Sequence, residues 1–302
     1  MKQFLKMFIP IVLVAVLLAA CGGGGGNQIT IGSKNFTEQY LLSKMTVLLL
    51  EDNGFQVDEK SDMGSSVLRE ALLNKQVDMV WDYTGTVLVT YMGEDPVTDG
   101  DEAFEEVKRL DKEEKDITWI NKTDVNNTYA LTMKQSKADE LGIQSISDLA
   151  AYIHDNPGGI SVATDAEFAN RDDGLPGLQE VYGFNFGADN IVEMQVGLQY
   201  EAINTDQVDV AMGFGTDSQI PEYDLIVLDD DKQFFPAYHA AVGIHTDVLE
   251  NNPEIEEITA QLAEKLNDDV MRELNYQVDV EGQNVDTVAR EWLVENGLLE
   301  ES

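Results

Sequence analysis

Ala71-Leu72-Leu73-Asn74-Lys75-Gln76-Val77-Asp78-Met79 is echoed 131 residues later by Ala202-Ile203-Asn204-Thr205-Asp206-Gln207-Val208-Asp209-Val210. Each copy reads as the end of a helix, a polar turn, and a strand entered through Gln-Val-Asp. The same offset sets Tyr83 opposite Phe214, each just past the carboxyl end of its strand. Ligands of open α/β sheets collect outside those ends. The repeat therefore points to two similarly built lobes, each presenting an aromatic ring to a shared cleft. The competing reading is a generic helix–strand junction met twice by chance.

Outward from this repeat, short β-branched runs alternate with helical stretches. Residues 29–31, 77–81, 160–163 and 208–212 read as strands, and 36–52 has helical spacing. Gly64-Ser65-Ser66 opens a helix running to about Asn74, and Ser145-Ile146-Ser147-Asp148 resembles a capping box. Residues 254–266 and 285–294 read as amphipathic closing helices. Such alternation predicts an α/β protein with largely parallel sheets.

The chain has 302 residues, 57 acidic against 19 basic, a formal charge of −38, and is 43% hydrophobic. That apolar share supports a core and argues against a disordered acidic tail. Such acidity argues against a nucleic-acid partner, because phosphate binding needs clustered Lys and Arg. Cys21 is the single cysteine, so no internal disulfide and no multi-cysteine zinc site is expected. His154, His239 and His245 form no H-x-x-x-H pair. No nucleophile elbow, phosphate loop or dinucleotide fingerprint appears, and no cofactor is expected. Carboxylates are so abundant that naming an acid/base pair would be arbitrary.

Lys2 and Lys6 precede an apolar run over residues 7–20, too short for the ~20 residues of a membrane-spanning helix. The run ends in Leu18-Ala19-Ala20-Cys21, followed by glycines at 22–26. These features resemble a bacterial lipoprotein signal. Residues 1–20 are expected to be removed and Cys21 to carry a thioether-linked diacylglycerol. Residues 21–27 then serve as a flexible tether. An ordinary signal peptide containing a cysteine is the alternative.

Several strings are distinctive. Gly32-Ser33-Lys34-Asn35-Phe36-Thr37-Glu38-Gln39 lies between the first strand and first helix, and Trp81-Asp82-Tyr83-Thr84-Gly85-Thr86 follows the Gln-Val-Asp strand. Asn126-Asn127-Thr128-Tyr129-Ala130-Leu131 begins a strand near the expected lobe crossing. Arg171-Asp172-Asp173-Gly174-Leu175-Pro176-Gly177 reads as a tight polar loop after a strand. Phe214-Gly215-Thr216-Asp217 closes the repeat, and Phe235-Pro236-Ala237-Tyr238 precedes the return to the first lobe. Together, from about Ile29 to the C-terminus, they resemble the substrate-binding lipoproteins of ABC importers for glycine betaine, choline, carnitine and related osmoprotectants.

The resemblance implies a two-lobed periplasmic-binding-protein fold of the Venus-flytrap, type II-like kind, with a hinge and an interlobe ligand cleft. Lobe 1 would comprise 28–126 plus 239–302, and lobe 2 would comprise 127–238. The resemblance further implies that Tyr83, Tyr129 and Tyr238 are cage tyrosines around a trimethylammonium group. Thr86, Lys34 and, from the second lobe, Arg171 match contacts to the ligand's carboxylate end. Asn127 stands where some members carry an aspartate near the cation, and Phe214 where many carry a cage tyrosine. Taken singly, the tyrosines read equally as core-edge rings and Phe214 as core. Lys34 alone reads as a solvated loop lysine, and Arg171 as a loop-stabilising ion pair.

The implied activity is non-enzymatic: capture of a quaternary ammonium solute and delivery to an ABC permease with its ATPase, by a lipid-anchored monomer on the extracytoplasmic face. The alternatives are a receptor for choline or another solute on the same fold, a secreted lipoprotein hydrolase, and an adhesion or scaffold lipoprotein.

Overall fold

The computed structural model describes residues 27–300, so the expectations for the leader, Cys21 and most of the tether lie outside the described residues. Ten strands form two five-stranded sheets. The first sheet uses β1 (Gln28–Lys34), β2 (Gln56–Met63), β3 (Met79–Tyr83), β4 (Ile117–Ile120) and β10 (Ala240–His245), in the order β2-β1-β3-β10-β4. The second uses β5 (Tyr129–Lys134), β6 (Val162–Thr164), β7 (Ile191–Glu193), β8 (Val210–Phe214) and β9 (Leu225–Val227), in the order β7-β6-β8-β5-β9. Each sheet is parallel except where it meets the strand arriving from the other one. β10 runs antiparallel to β3 and β4, and β5 antiparallel to β8 and β9. This is a two-lobed α/β fold with mixed sheets.

The repeat has a physical basis. In both copies the strand begins two residues later than the apolar run suggested, at Met79 and Val210, because Gln-Val-Asp forms the approach to it. The Gln76 amide donates to the Ala71 carbonyl at 2.8 Å, and the Gln207 amide to the Ala202 carbonyl at 2.8 Å. Lys75 (φ 54°) and Asp206 (φ 57°) take the left-handed turn at the same place in each copy. The Asp78 carboxylate accepts from the Thr30 amide and the Asp209 carboxylate from the Ser161 amide, both at 2.7 Å. The aspartate of each copy thus clamps the neighbouring parallel strand and fixes its register.

The helix predicted over 36–52 is observed as Thr37–Asp52, and those at 254–266 and 285–294 as Glu254–Ala263 and Val285–Glu295. Ser145 and Asp148 make the reciprocal capping box of helix Ile146–Asp155. β2 escaped the sequence reading because it is a charged, exposed edge strand with no apolar alternation. The chain crosses between the sheets twice, and the crossings lie side by side. The Asn127 amide donates to the Tyr238 carbonyl at 3.1 Å, and the Tyr238 amide to Asn126 Oδ1 at 2.8 Å.

Candidate functional site

Strand ends put the aromatic side chains where the repeat expects them. Tyr83 ends β3, Phe214 ends β8, and Tyr129 opens β5 directly across from Phe214 in antiparallel register. Tyr238 comes from the returning crossing and presses on the turn after β3. A Cβ on Gly85 would meet the Tyr238 ring at 2.8 Å and the Ala237 carbonyl oxygen at 2.9 Å, so only glycine lets this tyrosine approach. The eight residues singled out from the sequence (Lys34, Tyr83, Thr86, Asn127, Tyr129, Arg171, Phe214 and Tyr238) all line one cavity of about 850 Å³.

The rings form a continuous wall. Tyr129 stacks on Phe214 with centroids 5.2 Å apart and meets Tyr238 edge-on at 5.4 Å. Phe36 stacks between Phe214, at 5.6 Å, and Tyr83, at 6.2 Å. Phe36 is a functional candidate that the sequence reading left out, although it stands inside the Gly32–Gln39 string. Its position between a strand's carboxyl end and a helix start was the available signal.

Polar groups behind the wall join the lobes. The Tyr83 hydroxyl donates to Glu38 Oε1 at 2.7 Å, Asn127 Nδ2 donates to the same oxygen at 2.9 Å, and the Thr216 hydroxyl to Glu38 Oε2 at 2.7 Å. Tyr238 donates its hydroxyl to Asp173 at 2.6 Å. The Ser65 amide, opening helix Ser65–Leu73, donates to Glu167 Oε1 at 2.7 Å across the cleft. Burial pushes the Tyr83, Tyr129 and Tyr238 phenols up, so all three stay neutral and Tyr83 and Tyr238 keep their donated hydrogen bonds.

The two basic residues are not free. Lys34 Nζ lies 2.6 Å from Asp82 Oδ1, both side chains buried, and 5.0 Å from the Tyr83 centroid. Arg171 closes the short helix Ala166–Asn170 rather than following a strand directly. It chelates Asp173 through Nε and Nη2, reaches Glu167 through Nη1 at 3.3 Å, and sits 5.6 Å from the Tyr129 centroid. Although burial favours its neutral form, Glu167 is held below the usual carboxylate range by the Lys34 charge and the Ser65 amide. Asp62, Asp165, Glu167 and Glu193 also line the cavity, so carboxylates outnumber the basic groups there. Among the described residues, no group of three or more His, Cys, Asp or Glu is placed to hold a metal ion.

Two α/β lobes joined by a paired crossing, with an aromatic-walled cleft between them, define a solute-binding protein. Comparison with known proteins sharpens this: residues 27–295 match the family of the substrate binding domain of the ABC-type glycine betaine transport system, and the chain belongs to that family. It is 38% identical over 289 residues to the glycine-betaine-binding protein of Pseudomonas aeruginosa, covering 94% of this chain and 93% of that protein. It is 32% identical to the carnitine transport binding protein OpuCC of Listeria monocytogenes, covering 99% and 98%. A crystal structure described as a glycine betaine/carnitine/choline ABC transporter shares 32% identity with a TM-score of 0.72, covering 89% of this chain and 99% of that one. Members of this family bind solutes rather than transform them.

Proposed function

We propose that this chain captures a quaternary ammonium compatible solute of the glycine betaine type in an aromatic cage and hands it to an ABC permease with its ATPase. The observation that carries the reading is the meeting of Tyr83 from one sheet, Phe36 from the start of helix Thr37–Asp52, Phe214 and Tyr129 from the other sheet, and Tyr238 from the crossing around one cavity. A quaternary ammonium has no N–H, so acceptors cannot recognise it directionally. Ring quadrupoles attract it by roughly 0.5–2 kcal/mol per favourable contact. A bare carboxylate would hold Na⁺ and K⁺ as well. Thr86, Lys34 and Arg171 supply the polar end, with arginine suited to a bidentate carboxylate pair. The lobes are taken as 28–126 plus 239–302 and 127–238, and their closure over the solute is the signal the permease reads.

A second reading, choline, is favoured by one specific observation: Lys34 and Arg171 already satisfy protein carboxylates. A thermal-shift and calorimetry panel of glycine betaine, proline betaine, choline, carnitine and ectoine decides between them. Arg171→Ala is expected to weaken glycine betaine about tenfold more than choline, the size of one charge-assisted hydrogen bond. Equal losses for both ligands make the arginine purely structural. Failure of the whole panel to bind sinks the receptor reading.

Attachment to the extracytoplasmic face through lipidated Cys21, as a monomer, completes the proposal. No described helix is long and apolar enough to cross a membrane. Cys21→Ser is expected to release the protein into the soluble or medium fraction on cell fractionation. Retention in the membrane fraction would argue against the lipid anchor.

A further inference from the structure

Among the carboxylates that accept a hydrogen bond from a cage tyrosine, two stand in contrast. Asp173 takes the Tyr238 hydroxyl and is neutralised by Arg171. Glu38 takes the Tyr83 hydroxyl and accepts its other bonds from Asn127 and Thr216, all neutral groups. It is only 2% exposed. Its titratable neighbours are Tyr83 on β3 and Asp217 after β8, while Asn127, Thr216 and Asn275, the last from helix Asp268–Asp279, face it as neutral polar groups. None of the hydrogen bonds it accepts comes from Lys, Arg or His among the described residues. A buried carboxylate without a cationic partner is costly, and such groups are normally paired.

Two features lower that cost without cancelling the charge. Glu38 lies in the first turn of the 16-residue helix Thr37–Asp52, where the helix dipole favours an anion. It also collects donors from three separate parts of the chain: β3 of the first sheet, the crossing, and the loop after β8 of the second. Glu38 does not line the large cavity. Its charge acts on that cavity through Tyr83, whose ring borders it.

We propose, resting on the receptor reading above, that Glu38 is the counter-charge of the ligand's cation, a positioning residue that acts through Tyr83 and ties ligand charge to the contact between lobes. The negative carboxylate beyond the phenol oxygen makes the ring face a better cation acceptor. Held one hydrogen bond behind the ring, at an effective dielectric of about 20, one unit charge is ample for a tenfold change in affinity. The attraction is buried, so added salt screens it little. Burial holds the carboxyl above its usual range, against the bonds from Thr216, Tyr83, Asn127 and Asn275, so acid pH neutralises it before an exposed glutamate. By linkage, a bound cation must in turn expel that proton.

The test is Glu38→Gln, because the network can re-form around the amide. The carbonyl of the introduced amide keeps the Tyr83 and Asn127 bonds, its NH₂ donates to Thr216 Oγ1, and the Thr216 hydroxyl turns to Asn127 Oδ1, already 3.1 Å away. Calorimetry with choline and with glycine betaine, run from about pH 8 to about pH 5, is expected to show wild-type affinity falling with pH. With both proteins carrying Asp217→Asn, so that the neighbouring carboxyl raised to about 7 does not titrate in the same window, Glu38→Gln is expected to be about tenfold weaker at the upper end, nearly flat, and convergent with the Glu38 protein in acid. Repeating the titrations in two buffers of different ionisation heat is expected to show protons released on binding by the Glu38 protein and not by the variant. Equal affinities and parallel pH profiles overturn the proposal and leave Glu38 a structural brace. A wild type that binds no ligand of the five-member panel overturns the receptor reading instead. Should the variant lose its cooperative melt, Thr216→Val with Glu38 intact supplies the second arm: it removes one bond that holds the charge ionised. The pH profile is then expected to shift towards neutral, and an unmoved profile overturns the proposal.

Discussion

Tyr129→Ala is expected to weaken quaternary ammonium binding by about 2 kcal/mol, close to thirtyfold in Kd. Tyr129 is the ring on which the wall depends: its centroid lies 5.2 Å from that of Phe214, 5.4 Å from Tyr238 and 4.9 Å from Phe168, and Arg171 sits 5.6 Å from it. Truncation removes one face of the cage and takes the support from two more. It also opens a hole at a position only 7% exposed, so the variant is expected to melt earlier. Binding is therefore measured well below the variant's melting temperature, with near-ultraviolet circular dichroism to confirm native packing. Tyr129→Phe is the control, since the phenol oxygen makes no hydrogen bond to a described residue and the ring face is kept. Calorimetry is expected to return near-wild-type affinity for Phe and the large loss for Ala. If Ala binds as tightly as wild type, Tyr129 is core and not cage.

How far this site was visible beforehand depends on the kind of signal. Rings at strand ends were legible because a repeat fixes equivalent positions: once β3 places Tyr83, the same offset places Phe214. Tyr238 and Arg171 sit in loops with no periodicity, and only the resemblance of their strings to a family marked them. Sequence could not reveal that Lys34 arrives with a partner, whereas the ion pair read for Arg171 lies within its own string, at Asp173. Asp82 lies 48 positions from Lys34, and nothing in either string says that they meet. Glu38 was hidden for a related reason. In a chain with 57 acidic residues, one more glutamate at a helix start carries no information until its burial is known. The α/β class, the alternation and the capping box came from local patterning. The antiparallel strand in each sheet did not, since strand direction is set by the two crossings rather than by any segment's own residues.

Asp217 connects this hidden electrostatics to stability. Burial lifts its carboxyl from 3.8 to about 7, while it accepts from the Tyr200 hydroxyl and, at 2.8 Å, from the Phe214 amide. In the unfolded chain the same group titrates near 3.8. Folded protein therefore binds the extra proton between those values. The group's favourable contribution is complete below the lower one and disappears as pH climbs to the upper. At neutral pH the folded state carries a penalty of about 2–4 kcal/mol, the lower figure allowing for the part of Asp217 that still faces a water-accessible recess.

Asp217→Asn is expected to remove that penalty. The side-chain oxygen of the introduced amide can accept both bonds that Asp217 Oδ2 now accepts, so Phe214 keeps its place in the ring wall. The variant should match wild type near pH 4 and melt several degrees higher at pH 7. Subtracting the two pH–stability curves isolates this group from the general self-repulsion of a chain carrying −38 charges, which both proteins share. Urea titrations at half-unit intervals across that window provide the measurement. Parallel curves, or a variant less stable at pH 7, would show that Asp217 is ionised at no cost to the folded state. Ligand affinity is expected to survive the change, because the ring position depends on the acceptor oxygen and not on its charge.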